Sequence, residues 1–173
     1  VNNTPSIVNI DLNTFEDQIA YLRKKGYHSI TLSELHEILY DKKPIPNKGI
    51  MITFDDGYED NFEAYQILNK YGFSCVCFIS TAFISQSYSY MPFWFDFNDM
   101  NYEKSTVKDE EFTFISPEKM RIAMTLGVEF ANHTNHHITI DLHNKCFIEK
   151  EVMDCSHVIS EITNYTPTSF SYP

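Results

Sequence analysis

Apolar residues along the chain follow two alternating rhythms. Phe15, Ile19 and Leu22 recur at helical spacing. They predict a helix that Asn13 or Thr14 can cap, running to about Lys25 and stopped by Gly26. Val1 to Ile10 reads as an entry segment, because Pro5 argues against a helix there. Tyr27 to Ile30 reads as a short strand. Thr31-Leu32-Ser33-Glu34 then opens a second helix with Leu35, Ile38 and Leu39 facing inward, and Pro44 and Pro46 mark a loop. Ile50 to Phe54, bounded by Gly49 and Gly57, reads as a buried strand. A helix from about Asp60 to Tyr71 offers Phe62, Tyr65, Ile67 and Leu68 to a core and stops at Gly72. Cys75 to Ser80 is a second buried strand. Ser116-Pro117-Glu118 carries an N-cap and a first-turn proline for a helix ending near Gly127. Val128 to Ala131 is a strand, Glu149 to Thr163 a helix with Val152, Ile159 and Ile162 inward, and Ser169 to Pro173 the start of a further strand. Strand alternating with helix predicts an α/β fold with a parallel sheet or barrel.

Residues 83–112 break this rhythm. Ser-Tyr repeats lead into Met91-Pro92-Phe93-Trp94-Phe95-Asp96-Phe97 and then into a polar, acidic tract. We read them as a loop insertion whose aromatics either stack on sugar rings or pack back on the domain. The remaining composition changes the picture in few places. A chain of 173 residues suffices for one domain with a sizeable core. The net charge of −11 argues against nucleic acid or an anionic membrane as partner. No run is long and apolar enough to span a bilayer. No leader is visible, but the chain starts at Val1 and stops at Pro173 inside a motif, so we read 1–173 as one domain incomplete at its C-terminal end. Cys75 and Cys77 share a strand face and lack metal-site spacing. With Cys146 and Cys155 they read as free, mostly buried thiols.

The chemistry concentrates at two places. Asp55 and Asp56 end the Ile50 strand, where ionised carboxylates are costly unless a cation, a metal or solvent meets them. His133-Thr134-Asn135-His136-His137 follows the Val128 strand. An Asp-Asp-Gly alone is as often a plain turn, and a single histidine is more often a surface or core group. Placed together at strand carboxyl ends, where α/β barrels gather functional residues, an aspartate and two histidines form a three-ligand set with a position left open for water. His136 competes with His137 for the role of second histidine. His143 and His157 lack such context and read as solvent-facing.

Thr53-Phe54-Asp55-Asp56-Gly57 resembles the first signature of the polysaccharide deacetylases, carbohydrate esterase family four. His133-Thr134-Asn135-His136-His137 resembles their second, and Phe170-Ser171-Tyr172-Pro173 the beginning of their third. Gly26-Tyr27 followed by Ile30-Thr31-Leu32 is similar to the run that precedes the first signature in many members. The resemblance implies a distorted (β/α) barrel of about seven strands, truncated here. It implies Asp55 as general base, and Asp56, His133 and His137 as ligands of one divalent metal ion, zinc before cobalt, nickel or manganese. Thr134 would steady the histidine loop, and Tyr172 and Pro173 would support the site or touch substrate. The implied reaction is hydrolysis of N-acetyl groups on amino sugars of a polysaccharide, releasing acetate. The segment before the first signature looks most like the branch acting on exopolysaccharide such as poly-β-1,6-N-acetylglucosamine, which implies an extracytoplasmic location. Two departures stand out. Many members carry an arginine where this chain has Ser171, and the signature that supplies the family's acid histidine has no counterpart here. Rival readings are a non-catalytic, metal-containing glycan-binding barrel and a metal-dependent amidase on a small non-sugar amide.

Overall fold

The computed structural model describes residues 10–88 and 112–173. Its first helix, α1 (Leu12–Lys24), starts earlier than its apolar spacing suggests, because Asp11 is the cap. The Asp11 carboxylate accepts the Thr14 N–H at 2.9 Å and complements the helix dipole. Gly26 follows at φ 80°, the left-handed conformation that ends helices. The chain then passes through β1 (His28–Ser29) into α2 (Leu32–Tyr40). Thr31 and Glu34 close a reciprocal capping box at the start of α2. Leu39 does not face inward: it is 63% exposed, and α2 has no buried residue.

The Ile50 run is not one buried strand. It splits into β2 (Gly49–Ile50), which pairs with β1, and β3 (Thr53–Asp56), which pairs with β4 (Cys75–Ile79). Ile52 and Phe54 are half-buried while Thr53 and Asp55 are exposed. An apolar run reads alike whether one partner or two flank it, so this break depends on contacts far along the chain. Between β3 and β4 lies α3 (Asn61–Lys70), whose Tyr65 and Leu68 are almost wholly buried.

After β4, Thr81–Phe83 forms a single 3₁₀ turn with Phe83 buried, so the expected 83–112 loop does not begin there. β5 (Ser87–Tyr88) pairs antiparallel with β6 (Phe112–Thr113). Residues 89–111, including the tryptophan-centred aromatic run, lie outside the described residues. The returning chain lies beside the first motif: Glu59 N–H donates to Thr113 O at 2.8 Å and Ile115 N–H to Gly57 O at 2.9 Å. Helix α4 (Pro117–Thr125) is capped by Ser116, as its sequence predicts. It leads to β7 (Val128–Asn132) and then to α5 (Lys145–Thr163). Helix α5 begins before Glu149 because Asn144 caps it by accepting the Phe147 N–H. Its first turn carries exposed Cys146 and Phe147 and so lacks the inward apolar positions that mark a helix in sequence.

The strands β3, β4 and β7 form a parallel sheet in chain order. Helices α4 and α5 pack on β7, and α1 packs on α3. The core joins the inner faces of sheet and helices, with Cys77, Ile79, Ile115, Met120, Cys155 and Ile159 fully or nearly buried. Cys75, Cys77 and Cys155 are buried free thiols, and Cys146 is an exposed one. No helix among the described residues is long and apolar enough to cross a membrane.

The register of the sheet decides where the chemistry gathers. Asp56 stands opposite Ile79, Ile79 opposite Asn132, and Asn132 opposite Phe170 through a parallel bridge. One row across the sheet therefore marks the carboxyl end of every strand in it. The residues that follow the row, Ser80, His133 and Ser171, are brought side by side.

Candidate metal centre

Three side chains converge just beyond this row. His133 Nε2 lies 3.5 Å from Asp56 Oδ1, and His137 Nε2 lies 3.1 Å from the same oxygen. One ligand atom from each of Asp56, His133 and His137 can be chosen so that all lie within 4.8 Å of one another. The rings of His133 and His137 meet edge to face, centroids 5.0 Å apart.

The backbone presents these groups under strain. Gly57 N–H donates to Asp55 O at 2.8 Å, closing a three-residue turn around Asp56 at φ 68°. This is the rare left-handed γ-turn. Thr134 and His137 also sit in the left-handed region, at φ 64° and 53°. Each such residue costs on the order of 1–3 kcal/mol, and Lys42, Lys48, Ser85 and Asn164 also have positive φ elsewhere in the chain.

The donor set fits a cation. Asp56 Oδ1 is buried and meets no hydrogen-bond donor, a state that is rare and costly for a carboxylate. His133 Nδ1 lies 3.0 Å from the Ser171 carbonyl, which can only accept, so the ring proton is on Nδ1. That leaves the Nε2 lone pair facing Asp56, with the other nitrogen fixed by a carbonyl as metal-binding histidines require. Burial, more than any other influence, lowers the pKa of His133, although Asp56 pulls it upward. The neutral, ligating form of His133 is thereby favoured. A divalent ion would satisfy the orphaned oxygen and both Nε2 atoms together.

Asp55 stands apart from this trio. It is exposed, yet desolvation by the surrounding protein raises its pKa; His133 opposes that shift, Asp56 adds to it and His137 opposes it. A carboxyl perturbed upward beside the centre is a candidate for proton exchange with a water there.

The histidine loop is held from two sides. At the end of β4, Ser80 Oγ donates to His133 O at 3.0 Å, and Ala82 N–H donates to Asn135 O at 2.9 Å. On the other side, Asn132 Nδ2 donates to Val152 O and Ser156 Oγ of α5, at 2.7 and 2.8 Å, while its Oδ1 accepts the Thr134 N–H at 2.9 Å. Thr134 is fully buried, and its hydroxyl accepts the Ile138 N–H at 3.1 Å. His136, the rival to His137, turns outward and bonds Glu151 of α5 instead. His143 and His157 are exposed and lie outside the cluster; His157 pairs with Glu161 at 3.3 Å. Ser171 contributes through its carbonyl rather than its side chain. Tyr172 is 74% exposed, edge-on to Phe170, and Pro173 is half-buried.

Sequence reasoning missed Asn132, Ser80 and Glu151. Asn132 left a trace, as the polar residue that ends the apolar run of β7. Glu151 left none, since an acid on a helix ordinarily faces solvent.

Comparison with known proteins points to one family. The family described as polysaccharide deacetylase matches residues 42–173. The chain is 26% identical over 161 residues to the putative polysaccharide deacetylase YxkH of Bacillus subtilis, covering 92% of this chain and 48% of that protein. Over 70 residues it is 29% identical to the poly-beta-1,6-N-acetyl-D-glucosamine N-deacetylase of Escherichia coli K12, covering 40% of this chain and 10% of that protein. The chain thus spans about half of the first relative and a small part of the second. Among solved structures, IcaB from Ammonifex degensii is similar with a TM-score of 0.75 at 19% identity, over 98% of this chain and 69% of that one. The Streptococcus pyogenes deacetylase PplD in complex with acetate is similar with a TM-score of 0.73 at 19% identity, over 99% and 69%. At such identity the two structures speak for a shared α/β fold.

Proposed function

From the premise that this chain belongs to the polysaccharide deacetylase family, we propose that it hydrolyses N-acetyl groups on the amino sugars of a polysaccharide. Asp56, His133 and His137 would hold one divalent ion, zinc before cobalt, nickel or manganese. That ion would supply Lewis acidity, polarising the acetyl carbonyl and lowering the pKa of a water. Asp55 takes the proton from the attacking water at its carboxylate. The hydroxide so formed adds to the acetyl carbon, the C–N bond breaks as the sugar nitrogen takes the proton held by Asp55, and acetate and a free amine result with Asp55 again ionised. Thr134 keeps the two histidines apart by fixing the loop between them. The observation that carries this reading is the orphaned Asp56 oxygen facing two imidazole nitrogens, beside an exposed Asp55.

A polymer is favoured over a small amide because Asp55 is exposed among the described residues. Tyr172 and Pro173 would support the site or touch the sugar. The relative named for poly-beta-1,6-N-acetyl-D-glucosamine supports exopolysaccharide as the substrate and hence an extracytoplasmic location. The chain-order parallel sheet supports a barrel of which the single domain 1–173 would form an incomplete part. The test is amine release by the zinc-loaded protein from poly-β-1,6-N-acetylglucosamine, with chitin oligomers and peptidoglycan alongside. Amine from the first substrate ahead of the others is the expected outcome. No amine from any of them would refute the reading.

A further inference from the structure

Nothing in the chemistry just described uses Glu151, although it is a carboxylate only 4% exposed. Both its oxygens are spent on one residue. Oε2 accepts the His136 N–H at 2.8 Å, and Oε1 lies 2.8 Å from His136 Nδ1, whose proton it must accept. A buried carboxylate is tolerable only with such partners, and bonds to a charged acceptor are among the stronger ones. The bonded residue immediately precedes His137, whose backbone is left-handed at φ 53°. His136 and His137 are adjacent imidazoles, and either could swing toward Asp56 if the loop relaxed.

We infer that Glu151 is a positioning residue, which by anchoring His136 turns that ring outward and holds His137 against Asp56. The inference rests on the reading of Asp56, His133 and His137 as metal ligands. Glu151 works here through reach, not charge. It lies on α5, a helix also tied to the loop's first residue through Asn132. Two fixed points on one rigid helix, at Asn132 and at His136, bracket the ligand-bearing loop. Shortening one of them lets the far end of the loop drift from Asp56.

The test compares Glu151→Gln with Glu151→Asp. Glutamine keeps the length: its oxygen accepts the His136 N–H, and its amide donates to Nδ1 once the exposed imidazole changes tautomer. Aspartate keeps the charge but falls one methylene short. Zinc affinity is read by competition with a chromophoric chelator, and protection of the His136 amide by hydrogen exchange in the metal-free protein. Glu151→Gln is expected to bind zinc like the parent and keep the amide protected. Glu151→Asp is expected to bind about ten- to a hundredfold more weakly, the range for residues that orient metal ligands, with faster exchange at His136. Equal affinity and protection in both variants would overturn the inference. The reverse order, with Glu151→Gln weakened and Glu151→Asp intact, would overturn it in favour of a role through charge. If either variant failed to fold, His136→Pro, which removes both the anchored N–H and the imidazole bond to Glu151, would have to weaken zinc; undiminished binding would overturn the inference. A parent protein that binds no zinc yet protects the His136 amide would refute the metal reading and leave the anchor standing.

Discussion

Replacing Gly57 with alanine probes the turn that presents Asp56. Gly57 sits at φ 87°, and a Cβ built there would lie 2.6 Å from Ile79 Cγ1 and 2.7 Å from Ile79 Cδ1. Two costs therefore combine. A left-handed backbone with a Cβ costs roughly 1–2 kcal/mol. Forcing a methyl into a packed core costs roughly 1–3 kcal/mol more, and Ile79 has little room to move, being 1% exposed on the central strand β4. Gly57→Ala should thus lose about 2–5 kcal/mol, a large part of an ordinary domain's stability. Urea unfolding followed by circular dichroism measures the loss. The steric part is separable. Ile79→Ala removes both clashing atoms, so the double variant should be about 1–3 kcal/mol more stable than the sum of the single losses. Zinc affinity should fall as well, because relieving the clash shifts residue 57 and with it the N–H that closes the turn around Asp56. A loss below about 1 kcal/mol for Gly57→Ala, or strict additivity with Ile79→Ala, would refute the packing account of this glycine.

Two further outcomes are expected. Asp55→Asn should abolish amine release while leaving bound metal unchanged, because the amide cannot take the water's proton; full retained activity would remove Asp55 as base. Ser116→Ala should cost about 1 kcal/mol by leaving the Lys119 N–H at the start of α4 without its cap, and an unchanged unfolding midpoint would show that the cap contributes nothing.

Much of this architecture was legible from local pattern. The helices around Phe15, Tyr65 and Ile159 announce themselves by spacing, and Thr31 with Glu34, or Ser116 with Pro117, by cap chemistry. The adjacent Asp55 and Asp56 and the spaced His133 and His137 mark a candidate site, because carboxylates and imidazoles at strand ends have few structural uses, and the fold brings Asp56, His133 and His137 together. What stayed hidden depends on partners distant in sequence. The split of the Ile50 run follows from a change of neighbour, from β1 to β4. The exposure of Leu39 reflects the lack of a packing partner on that face of α2 among the described residues. Residue types alone leave His136 and His137 as rivals; the resemblance to the family motif points to His137, and the bond of His136 to Glu151 on another element is the part no spacing shows. The left-handed turn at Asp56 is likewise silent, since aspartate occupies ordinary strand conformations as readily.

The most direct test of the central claim is metal content after dialysis against zinc and then buffer, read by elemental mass spectrometry on the parent, His137→Ala and His136→Ala. The account predicts about one zinc per parent chain, as coupled ligand sets bind. It predicts loss of that zinc in His137→Ala and retention in His136→Ala. A parent chain that holds no zinc, or a metal lost with His136 and kept without His137, would contradict it.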